Sequence, residues 1–155
     1  MREAARHILL VEDDEFDREL AFRALQKHAI HVLVEIARDG EEALDAVHRY
    51  SSSSTPEHAN LPILILLDLN LPKLDGCSIL AELKAKETTK CVPVVVLTSS
   101  SQNQDISRSY LAGANSYIQK PVSFQKFEAT LKEIADYWLD LNVSCQKTLP
   151  LDPVS

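Results

Sequence analysis

The side chains best equipped for chemistry stand directly after short apolar runs. Residues 8–11 (ILLV) lead into Glu12, Asp13 and Asp14, residues 63–67 (ILILL) into Asp68, residues 92–97 into Thr98, and residues 116–119 into Lys120 and Pro121. If these run-ends meet, Glu12, Asp13 and Asp68 bring three negative charges together, which Lys120 alone cannot neutralise. A divalent cation would complete neutrality, and carboxylates with waters are the donors Mg²⁺ prefers. Without the cation, mutual repulsion predicts that at least one carboxyl keeps its proton above the usual range. An aspartate beside a metal, with an ammonium and a hydroxyl opposite, is a minimal kit for accepting a phosphoryl group. The loose transition state needs positioning and charge neutralisation, and a carboxylate needs no general base. Asp68 would then be the nucleophile, with Lys120, Thr98 and the metal each on one phosphoryl oxygen.

Each residue also has a plainer role. Asp13 or Asp14 could cap a helix beginning near Phe16, Asp68 could be a turn aspartate, and Thr98 and Lys120 could be a strand-end hydroxyl and a solvated lysine. What singles them out is their joint placement at the ends of four of five apolar runs.

Those runs must be positioned by something. Ile8–Val11, Val32–Ala37, Ile63–Leu67, Val92–Leu97 and Ser116–Ile118 are continuous, mostly β-branched or Leu, and bounded by Pro, Gly, Asn or Asp, which suits strands buried on both faces. Between them lie helical stripes: Phe16, Leu20, Ala24 and Leu25; Ala43, Leu44 and Val47; Ile79, Leu80 and Leu83; and a helix over about 102–111 that Gly113 would end. A last helix aligns Phe124, Phe127, Leu131, Ile134 and Trp138 behind a candidate N-cap, Ser123. Five strand–helix units predict a doubly wound α/β fold with a five-stranded parallel sheet, in which ligands bind outside the carboxyl ends of the strands. Two stretches break the alternation. Residues 51–60 (SSSSTPEHAN) read as a lengthened loop, and residues 142–155, with Pro150 and Pro153, as an extended or disordered tail after a 1–141 domain.

Length and composition narrow the possibilities. At 155 residues the chain amounts to one domain, and 45% hydrophobic with 25% charged residues is a globular balance. Sixteen basic against twenty-three acidic residues give a net charge of −7, which argues against direct nucleic-acid binding. Cys77, Cys91 and Cys145 form no CxxC pair and suggest reduced thiols. No signal or membrane segment stands out, so a cytoplasmic protein is expected, and no P-loop or dinucleotide-binding glycine motif occurs.

Taken together, HILLVEDD, LLDLNLPKLDG, VVVLTSS and AGANSYIQKP resemble the receiver domain of two-component response regulators across residues 6–140. Thirty residues from Asp68 to Thr98 and twenty-two from Thr98 to Lys120 suit that pattern, and the one excess in length falls in the serine loop. The resemblance implies a flavodoxin-like (βα)5 fold of strand order 2-1-3-4-5 and phosphorylation of Asp68. It implies Mg²⁺ held by Glu12, Asp13, Asp68 and the main-chain carbonyl of Asn70, with Thr98 and Lys120 on the phosphoryl group. It further implies a cis bond before Pro121 that aims Lys120 inward, and a switch in which Thr98 shifts and Tyr117 turns in behind it. Within the family, the wording is most similar to the small regulators paired with cyanobacterial phytochromes. This implies a phytochrome-like sensor histidine kinase as donor, and slow autodephosphorylation influenced by Asn70 and Ser100.

About fifteen residues follow Asp140, too few for a helix-turn-helix effector, so output by protein contact is expected. That contact includes a homodimer through the fourth helix, fifth strand and fifth helix, with Tyr110, Tyr137 and Trp138 as candidate contacts; Trp138 could equally be core. Three rival readings are weaker. A haloacid dehalogenase-type phosphatase needs a second acid where Asn70 stands. A flavodoxin-like cofactor protein would not set three acids where phosphate binds. A receiver-like module that binds without phosphorylation would have no use for five intact reactive positions.

Overall fold

The computed structural model describes residues 6–52 and 60–145. Strands β1 (His7–Val11), β2 (Leu33–Ala37), β3 (Leu64–Leu67), β4 (Val94–Thr98) and β5 (Ser116–Gln119) alternate with helices α1 (Glu15–His28), α2 (Gly40–Ser51), α3 (Gly76–Ala85), α4 (Asn103–Ala112) and α5 (Phe124–Ala135). The five strands form one parallel sheet in the order β2-β1-β3-β4-β5. The predicted elements are all present, with small shifts at their ends. β2 starts at Leu33 because the Val32 amide closes a turn on Ala29, and α2 continues through Ser51, whose hydroxyl bonds Val47. Residues 53–59 of the predicted serine loop and 146–155 of the predicted tail lie outside the described residues.

The uninterrupted apolar runs are explained by their alternating destinations. Ile8, Leu10, Leu64, Leu66, Val95 and Leu97 pack against α1 and α5, while Leu9, Val11, Ile65, Leu67 and Val94 face α2 and α3. A strand covered on both sides has no solvent face on which to place polar residues. Helix starts are set by side-chain caps: Asp14, Asp39, Asp75 and Ser123 accept from Asp17, Glu42, Cys77 and Lys126 amides. Asp14 therefore takes the capping role open to either acid, leaving Asp13 free for the rim. α4 ends at Gly113, whose φ of 111° suits glycine.

The α5 stripe is correct in its middle and loose at its ends. Phe127, Leu131 and Ile134 are buried, whereas Phe124, in the first turn, extends past the core and is 55% exposed. Beyond Ala135 the helix widens into a π-helical turn, Asp136–Leu141. This turn buries Leu139, rests Trp138 on the core and stacks Tyr137 edge-on against it at 4.9 Å. Trp138 thus takes the core role left open by sequence, while Tyr110 and Tyr137 stay about half exposed.

Gly76 opens α3 where the chain doubles back onto the end of β3. A Cβ there would sit 2.7 Å from Leu69 Cα and 2.8 Å from the Asp68 carbonyl oxygen. Both neighbours are main chain and cannot rotate away, so Gly76→Ala is expected to destabilise the fold by about 1–3 kcal/mol in urea unfolding.

Candidate functional site

Parallel register brings the carboxyl ends of β1, β3, β4 and β5 to one rim, and the residues following them converge there. Val11 pairs with Leu67, Leu67 with Val96, and Thr98 with Gln119, so Glu12, Asp68, Thr98 and Lys120 arrive at nearly the same level. Main-chain bonds continue the ladder past the strands: the Asp68 amide donates to Val11, and the Lys120 amide to Thr98 at 2.7 Å.

At the centre lies the Lys120 ammonium, its side chain only 8% exposed. Nζ is 2.9 Å from Asp68 Oδ2 and 2.9 Å from Asp17 Oδ2, and it also bonds Glu12 Oε1. Glu12, Asp13 and Asp68 form the cluster expected from sequence, each offering an oxygen within 4.8 Å of the others. Three carboxylate oxygens are a hard donor set, matching a divalent cation that prefers oxygen over nitrogen or sulfur. Arg18 steadies the acidic turn by donating to the Glu12 and Asp13 carbonyls at 3.3 Å.

Asn70 bridges two members of the site. Its amide donates to Asp68 Oδ1 at 3.0 Å, and its side-chain Nδ2 to Thr98 Oγ1 at 3.3 Å. Thr98 is fully buried. Tyr117, one strand over, packs on Leu69, Cys77 and Val96 and donates its hydroxyl to the Ser100 carbonyl at 2.8 Å. Ser100 itself bonds Asp105 at 2.5 Å, joining the loop after β4 to the first turn of α4. Pro121 follows Lys120 and lines a hollow of about 240 Å³ with Phe16, Asp17, Ser99 and Phe124.

Sequence reasoning missed Asp17. It lies in the first turn of α1, where an acid is ordinary helix chemistry, and only the tertiary position of Lys120 gives it a partner. The available signal was an acid one helical turn beyond the Glu12–Asp13 pair, on the rim side.

The fold and this geometry agree with what the sequence matches. Residues 8–132 match the response regulator receiver domain family. The protein is a response regulator receiver. It is 40% identical over 137 residues to the probable methanogenesis regulatory protein FilR2 of Methanothrix harundinacea, covering 88% of this chain and 86% of that one. It is 38% identical over 133 residues to the response regulator Rcp1 of Synechocystis, covering 86% and 88%. Among solved structures, the phosphorylated cyanobacterial phytochrome response regulator RcpA superposes with a TM-score of 0.81 at 38% identity, over 91% of this chain and 99% of that one. The Mn²⁺-bound form of Rcp1 gives 0.78 at 35% identity, over 90% and 98%. Receiver domains are in general signalling modules and partners of histidine kinases. Among the described residues no helix is long and apolar enough to cross a membrane.

The charge excess at the rim has the consequence expected from sequence. Burial, and then the Asp68 carboxylate, push the Glu12 carboxyl up to about 8, while Lys120 pulls against them. An unfolded Glu ionises near 4.5, so Glu12 costs stability progressively as pH rises from 4.5 towards 8. A cation binding there must displace that proton. Mn²⁺ or Mg²⁺ affinity is therefore expected to rise with pH up to about 8 and then level off, with proton release near pH 7. Calorimetry in buffers of different ionisation enthalpy measures that release. A pH-independent affinity between 6 and 8 would contradict the assignment.

Proposed function

We propose that this receiver accepts a phosphoryl group on Asp68 from the phosphohistidine of a sensor histidine kinase and signals by protein contact. The observation that carries this reading is the Lys120 ammonium 2.9 Å from Asp68 Oδ2, inside a rim of three carboxylates of which Glu12 and Asp68 are buried. In the transfer, the phosphorus–nitrogen bond to the histidine breaks as a bond to an Asp68 carboxylate oxygen forms. The carboxylate attacks already ionised, so no proton leaves the acceptor. Lys120 supplies fixed positive charge to the phosphoryl oxygens, and the Thr98 hydroxyl, oriented by Asn70, donates to another. Glu12, Asp13 and Asp68, with the Asn70 main-chain carbonyl, would hold Mg²⁺, which lends the remaining positive charge. The Mn²⁺-bound form of the related Rcp1 supports a divalent ion as a ligand of this chain too.

A phosphoryl group adds about −1.5 to −2 charge. Thr98 moves towards it, Tyr117 gives up the Ser100 carbonyl and turns into the space behind, and the α4–β5–α5 face changes shape. Tyr110 and Leu111 of α4 are exposed there, and Tyr137 is exposed beyond the end of α5, which suits contact with a second copy or a target. Similarity to Rcp1 and RcpA supports a phytochrome-type kinase as donor, and the proposed site of action is the cytoplasm. Water then removes the phosphoryl group slowly, at a rate influenced by Asn70 and Ser100.

Intact mass after incubation with acetyl phosphate tests the core of this reading. Wild type is expected to gain one phosphoryl group in Mg²⁺ and none without it, and Asp68→Asn to gain none. No gain under any condition would favour a phosphorylation-independent binding module. Tyr117→Ala is expected to keep the gain while weakening phosphorylation-dependent association in sedimentation velocity. Monomer alone at micromolar concentration, phosphorylated or not, would remove the dimer.

A further inference from the structure

The opposite, amino-terminal end of the sheet holds a second cluster with no part in the acidic rim. Past the π-helical turn the chain folds back: the Asn142 amide bonds the Tyr137 carbonyl, Ser144 is buried, and Cys145 Sγ donates to the main-chain carbonyl of Cys91 at 3.4 Å. Cys91 lies in the connection between α3 and β4. The Cys145 thiol is harder to ionise than usual, first because of its burial and then because of the Cys91 thiol beside it. Beside both is Lys84, in the last turn of α3. Its stem runs under Gly113, and its ammonium donates to the Lys90 carbonyl at 3.2 Å, the Val92 carbonyl at 2.8 Å and Asn115 Oδ1 at 3.2 Å. Both cysteines are partly exposed, whereas Cys77 is buried with its sulfur 4.0 Å from the Ser109 hydroxyl.

We propose that Cys91 and Cys145 are a redox-modification site, closing a reversible intramolecular disulfide that ties the segment after the π-helical turn to the α3–β4 connection. The oxidant is a low-molecular-weight disulfide. The Cys91 thiolate, with the Lys84 ammonium nearby, attacks one sulfur of that disulfide, whose bond breaks to release one small thiolate. Cys145 gives up its proton and attacks the Cys91 sulfur of the mixed disulfide, and the second small thiolate leaves. Two protein thiols are oxidised and one small disulfide is reduced to two thiols. Burial, and then the neighbouring thiol, push Cys145 up to about 12, which makes it the second to react.

The bond joins residues 54 apart in sequence, so it removes substantial freedom from the unfolded chain. Full-length protein is equilibrated with oxidised and reduced glutathione at several ratios and then alkylated. It is read by non-reducing peptide mapping and by thermal unfolding. The expected result is one cross-linked peptide pair containing Cys91 and Cys145, with loss of two hydrogens from the intact mass. The unfolding midpoint should rise by about 5–10 °C, reversibly with dithiothreitol. Cys77→Ser should keep both effects, and Cys91→Ser should lose both. The proposal is overturned by a bond that includes Cys77 or links two copies, by glutathione adducts without the internal bond, or by no oxidation at any ratio. The mapping on wild type decides even if a variant folds poorly.

Discussion

A single ammonium cannot satisfy three buried or half-buried carboxylates, and much of the architecture serves to keep it in that position. Lys120 reaches Glu12, Asp17 and Asp68 only because β1, β3 and β5 end at one level, which follows from parallel pairing about a central β1–β3 ladder. Moving any strand by one residue would exchange the faces of its side chains and withdraw its contribution from the rim. The apolar runs that read as strands are therefore also the ruler that spaces the charges. The cost of placing like charges together falls on Glu12, and a cation taken up there would offset it.

Most of this was legible in sequence for physical reasons. Continuous apolar runs identified strands covered on both faces, and because the reactive residues come directly after those runs, their convergence came with the fold. Asp14, Ser123 and Gly113 act through local chain geometry, which short-range pattern captures. Asp17 was not legible, since its partner is a hundred residues away and its type suits any first helical turn. Phe124 was misjudged because helical periodicity gives a face but not where the core beneath it ends. The choice between core and surface for Trp138 depended on the π-helical turn, which adds a residue to the helix repeat and rotates the side chains beyond Ala135.

A second polar arrangement shows how the fold treats buried polar groups elsewhere. The Tyr50 hydroxyl donates to Glu35 at 2.7 Å, Arg49 bonds the same carboxylate, and His7 lies 3.4 Å from both the hydroxyl and the carboxylate. Burial pushes the His7 imidazole below its ordinary range although Glu35 works against it. No buried side-chain polar atom there lacks a partner, so α2 and the edge strand β2 are joined by a satisfied network. The acidic rim differs in carrying surplus charge, and that difference separates a structural cluster from one able to take up a ligand.

The fourth helix is attached unlike the others. It buries only Ser109, and two polar contacts help attach it, Arg108 to Asp75 of the α3 cap and the Ser100–Asp105 bond, beside the packing of Gly113 over the Lys84 methylenes. Dissolved ions screen the exposed Arg108–Asp75 pair, whereas they leave apolar burial largely untouched. Ionic strength should then act on this domain unevenly, loosening one helix while the sheet and the α1–α5 layer stay as they are. The surrounding electrolyte would then reach the domain first through α4.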